Sequence, residues 1–183
     1  MTTADVTPAV VSYADNLPLA WQPLPPQLEA HWLDRISEEN VNTLGAVTAL
    51  EERRELPNDA NPLEAEINRL NQKMDWLLGL VGSLVHAHLQ IPQAVALHLS
   101  SQDISWRCVG DRPEAGAQVL LEIYLHRGIV TPLRLPAEIV ESSVTEVKAR
   151  FLPTGEACLL ALEKHVFLHH RRAVFEARHA TQT

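Results

Sequence analysis

Apolar positions along this chain change their period twice. Between residues 62 and 89, Leu63, Ile67, Leu70, Met74, Leu77, Val81 and Leu84 recur at alternating steps of four and three. That spacing is an unbroken a/d heptad seam. Asn61 is placed to N-cap the helix, Pro62 suits its first position, and Glu64 completes a capping box. At the other end Pro92 pushes Ile91 out of helical geometry. At about 1.5 Å per residue the helix is roughly 40 Å long. A small domain needs such a length only if the helix packs against another long helix. Ile67, Met74 and Val81 fall at a, with leucines at d, a pattern that favours two strands. Leu78, Leu80, Val85 and Ala87 at the late e and g positions widen the face toward three or four helices. The seam therefore predicts self-association; the competing reading is a long core helix within one domain.

The flanking segments follow other rhythms. Residues 1–9 are small and polar, and residues 10–24 carry Leu17, Leu19, Trp21 and Leu24 among prolines. That pattern predicts an extended arm over 1–25 lying on something apolar. Pro25 and Pro26 open a helix to about Glu55, with Leu28, Trp32, Leu33, Ile36, Leu44, Val47 and Leu50 on one face and a slip near Asn40. After Pro92 the period drops to two. Strands are predicted at 94–99, 104–109, 119–126, 133–141 and 144–152, with Pro136 marking an edge or bulge. Short strands with tight turns suggest a small antiparallel barrel. A last helix follows from Glu156 to about Arg178. The expected organisation is an arm (1–25), a helical oligomerisation region (26–91) holding the heptad helix 62–89, and an α+β module of barrel and C-terminal helix (92–183).

Composition narrows the function. A formal charge of -8 over 183 residues disfavours nucleic-acid binding. No run approaches a membrane span, and the start lacks the basic region of a secretory signal. Cys108 and Cys158 lie in apolar surroundings without a CxxC, as free thiols in a reducing cytoplasm would. His165 and His169 are four apart, with His170 adjacent, but no third ligand is set by motif, so no metal is expected. Ser100, Ser101 and Ser105 lack a nucleophile elbow, and no G-x-x-x-x-G-K occurs. No catalytic residue and no cofactor are expected. Arg107, Arg112, Arg127 and Arg134 read equally well as a basic patch or as solvated strand ends.

Three stretches carry a resemblance. They are HLSSQDISW at 98–106, AGAQVLLEIYL at 115–125 and VKARFLPTGEACLLALEKHVFLHHRR at 147–172. In order and spacing they resemble a PilZ domain, the bacterial barrel of cyclic di-GMP signalling. With the LPLAW arm and the heptad helix, the whole resembles the atypical, tetramer-forming members of that family. The resemblance implies a homotetramer held by parallel long helices, and partners among signalling or motility proteins, with outputs such as surface motility or virulence.

The departures from the family pattern are as informative. The family's R-x-x-x-R pair is missing, because residues 90–98 contain no arginine. In the D/N-x-S-x-x-G motif, His98 replaces Asp or Asn, Ser100 matches, and Asp103 replaces Gly. A guanidinium offers a planar fork to phosphate and a flat stacking face. Hydrogen bonds to charged groups contribute about 1.5–3 kcal/mol each, so losing two such arginines weakens binding roughly 100-fold to 10,000-fold. The expectation is a non-catalytic adaptor that does not bind cyclic di-GMP by the usual route. The alternatives are a receptor using other arginines and an enzyme with a cryptic barrel site.

Overall fold

The structure, a computed structural model, describes residues 11–25, 30–52, 62–88, 91–108 and 110–180. The chain runs β1 (Ser12–Pro23), α1 (Ala30–Glu52), α2 (Pro62–His88), β2 (Ala94–Ser100), β3 (Asp103–Arg107), β4 (Gln118–Ile123), β5 (Leu133–Ser142), β6 (Glu146–Phe151) and α3 (Glu156–Ala180). The strands close into an antiparallel barrel in the order β1-β2-β3-β6-β5-β4. Every second residue points inward. Leu97 and Leu99, Ile104 and Trp106, Leu121 and Ile123, Leu133 and Leu135, and Val147 and Ala149 fill the interior.

The stretch expected to be an extended arm lying on something apolar supplies one of the barrel's strands. The first half of β1 pairs with β2, Ser12 opposite Ser100 through Pro18 opposite Ala94. The second half pairs with β4, Leu19 opposite Ile123 through Pro23 opposite Val119. Tyr13, Leu17 and Leu19 are buried and Trp21 packs against the core. The prolines fit because β1 changes partner at Pro18, where Tyr124 donates its backbone N–H to the Pro18 carbonyl. Pro136 also departs from expectation. It lies inside β5, paired with Leu120 on one side, while its carbonyl accepts from the Leu152 N–H. The register irregularity falls later, between Ile139 and Glu141.

Two helices cover the barrel. α1 packs on α3 and β5, and α3 also packs on β1 and β2. Ile36, Leu44 and Val47 from α1, with Leu162 and Val166 from α3, are buried. The slip in the α1 pattern has a cause. Asn40 is buried, donates from Nδ2 to the Arg134 carbonyl at 2.7 Å and accepts from the Arg134 N–H at 2.8 Å. An apolar residue there would leave both strand groups unsatisfied. The connecting stretch 53–61, including Asn61 and its expected cap, lies outside the described residues, as do 26–29. Cys108 and Cys158 are free, the second buried.

Among the described residues α2 makes no extended packing with another helix or strand. It comes close to the loop after β4 at Gly82.

Candidate functional site

Two predicted features and one unforeseen cluster are available for function. The first is the seam. Ile67, Leu70, Met74, Leu77, Val81 and Leu84 lie on α2 and are all exposed, from 47% at Ile67 to 63% at Leu84. The side chain of Leu63 lies outside the described residues. Nearby Trp76, Leu78 and Leu80 are exposed as well. Together they form an exposed apolar stripe along the helix.

The second feature is the β2–β3 turn, which brings Ser100 and Asp103 together and leaves His98 outside the contact. Ser100 is buried, and its hydroxyl donates to Asp103 Oδ1 at 2.7 Å. The same oxygen accepts the backbone N–H groups of Gln102 at 3.1 Å and Asp103 at 2.9 Å. The turn thus satisfies its own polar groups, and Asp103 adds a carboxylate at its tip. His98 is exposed on β2, opposite Ala14 and Ser105. Of the four arginines weighed as a patch, Arg127 and Arg134 line different cavities. Arg127 lines a cavity beside α2, while Arg134 lies near α1, paired with Glu122 at 3.1 Å and Glu39 at 3.2 Å.

Sequence reasoning missed a polar cluster where β1, α1 and α3 meet. The Tyr13 hydroxyl lies 2.9 Å from His165 Nε2. Burial, then the charges of Asp15 and Glu51, raise the Tyr13 pKa far above its usual value. The hydroxyl therefore stays protonated, and the imidazole tautomer sets which partner donates. Burial, reinforced by His169, lowers the His165 pKa to about 4 and keeps that ring neutral near pH 7. Tyr13 stacks on His169 with centroids 4.5 Å apart, and His165 and His169 are 4.4 Å apart. His169 meets Glu51 at 3.1 Å, Arg172 donates to Glu51 at 2.7 Å, and the His170 ring lies 2.7 Å from the Ser12 carbonyl. Burial alone pushes the Glu51 carboxyl up, but hydrogen bonds from His169 and Arg172 prevail and hold it at about 2. The visible signal was the four-residue step from His165 to His169. It reads as a latch between elements, and no group of three metal-ligating side chains occurs among the described residues.

Comparison with known proteins adds two findings. Residues 42–179 match the profile of a family described as atypical PilZ domain, cyclic di-GMP receptor. A solved structure of a pathogenic protein from Xanthomonas campestris shares the fold. It is 22% identical, with 91% of each chain covered and a TM-score of 0.68. That protein is described as a tetrameric PilZ domain self-assembled through a helical bundle. No curated protein matches the chain.

Proposed function

This chain belongs to the atypical PilZ domain family, and from that premise we propose that it is a non-catalytic signalling adaptor, assembled through α2 and acting through protein partners. The observation that carries the reading is α2 itself. Its heptad seam is exposed along its described length, whereas the inward apolar positions of the strands fill the barrel. The assembly is a homotetramer, as the Xanthomonas campestris protein is described to be. The wide e and g face of the second half of α2 suits that number. Several barrels on one bundle raise avidity for a repeated partner surface without strengthening any single contact. The partners are signalling or motility proteins of the cyclic di-GMP pathway.

The nucleotide itself binds weakly or not at all by the usual route. Residues 90–98 lack arginine, and the Ser100–Asp103 turn is closed on itself with a carboxylate where a phosphate would approach. The interior of the barrel is filled with apolar side chains, which works against an enzyme with a site there. No described helix is long and apolar enough to cross a membrane.

One observation favours a second reading, a receptor through substitute arginines. Gln22, Trp32, Arg35 and Arg134 line a cavity of about 320 Å³ between β1, α1 and β4. An indole and two guanidiniums suit a purine nucleotide, but Glu122 and Glu39 already engage Arg134. Sedimentation and calorimetric titration with cyclic di-GMP decide between the readings. A tetramer without measurable heat supports the adaptor. Low-micromolar affinity abolished by Arg35→Ala establishes the receptor instead.

A further inference from the structure

Heptad geometry gives α2 two flanks beside its seam. One flank carries Asp75, Leu78 and Gly82, at b, e and b; the other carries Trp76 and Leu80, at c and g. The chain's own barrel occupies the first flank. A Cβ at Gly82 would stand 2.6 Å from the Arg127 carbonyl oxygen, so glycine lets the helix come this close. Beside that contact Asp75, Leu78, Gly79, Leu50 and the 125–128 loop enclose a cavity of about 380 Å³. On the second flank Trp76 is 71% exposed, more than any other large apolar side chain described on α2.

These two features face each other once copies associate. In a parallel, in-register bundle the g and c side of one helix lies beside the e and b side of the next, with axes about 8–10 Å apart. Trp76 of one copy then stands level with Asp75 and Leu78 of its neighbour, at the mouth of the cavity. The cavity offers Leu50, Leu78 and Leu125 as apolar walls and a polar rim from His126 and Arg127. An indole has the apolar body and the single N–H donor for such a place.

We propose that a second copy of this chain fills the cavity: Trp76 of one protomer docks between α2 and the Leu125–Gly128 loop of the next. The proposal rests on the α2 seam being the assembly interface. Each copy is then donor and acceptor in a head-to-tail contact that closes as a ring and sets the parallel order of the helices. Every barrel is held by two helices, its own through Gly82 and its neighbour's through Trp76.

Cysteine cross-linking in a Cys108→Ser background tests this. Chains carrying Leu77→Cys report on the seam; a mixture of Trp76→Cys chains with Arg127→Cys chains reports on the docking. The expected result is oxidative linkage between chains in both samples. Linkage through Leu77→Cys alone overturns the docking and leaves the seam standing; linkage in neither overturns both. Self-linkage of Trp76→Cys chains without the mixed product places like flanks together and overturns the parallel order. Independently, Trp76→Ala is expected to raise the dissociation midpoint about 30-fold, as for a central anchor. In acrylamide quenching, the emission lost in Trp76→Phe should be shielded in the assembled wild type and open in Leu77→Asp. Full exposure of that indole in the assembled protein overturns the proposal.

Discussion

The barrel and α2 use the same residue type to opposite ends. Leu97, Leu99 and Leu121 are at most 1% exposed, whereas Leu70, Leu77 and Leu84 are more than half exposed. Neither region is more apolar by design; they differ in whether this chain supplies the other wall. A two-residue repeat closes on itself when strands join into a barrel, because every inward side chain meets others across the axis. A three-four repeat on a lone helix has no such closure and completes itself with further helices. Stability belongs to the first region, and the proposed function gives association to the second.

The sharpest way to break that contrast is Leu77→Asp, which puts a charge into the seam. The expected outcome is complete loss of assembly in sedimentation, with near-ultraviolet dichroism of the barrel unchanged. A mutant of wild-type size removes the seam as interface. Next in size is Leu121→Ala, which empties part of the barrel interior. It should cost about 2–5 kcal/mol in denaturant unfolding and leave the assembled mass intact at low temperature.

Acid should act on the barrel side through the Tyr13–His165–Glu51 latch. His165 is held at about 4, below its ordinary 6.5. The unfolded chain therefore takes up a proton there first, and stability falls as pH drops from 6.5 to 4. Glu51 is held at about 2, below its ordinary 4.5. Its contribution is present above 4.5 and is lost as pH falls from there toward 2. Unfolding midpoints measured against pH should decline through both windows, and Glu51→Gln should remove only the lower one. The smallest effect is expected from Lys148→Ala. Its partners Glu141 and Glu146 are exposed ion pairs, so stability should not change measurably.

How much was legible followed from the range of each interaction. α2 is written in its own periodicity, and Pro62–His88 nearly coincides with the predicted 62–89. β2 to β6 were visible as alternation bounded by turns, with ends displaced by a few residues. β1 was read as an arm because Pro18 and Pro23 punctuate it, and because its partner Ile123 lies a hundred residues on from Leu19. The latch was hidden for the same reason, since Tyr13 and His165 are 152 residues apart and Glu51 and His169 are 118 apart. The Ser100–Asp103 turn was legible by contrast, as a local motif whose altered residues could be compared position by position.

The strand order carries a consequence for synthesis. β1 needs β2 on one side and β4 on the other, and both are translated after α2. A nascent chain therefore completes α2 before its barrel can close, and in the proposed assembly polypeptides growing on one messenger would pair while their barrels are still being made.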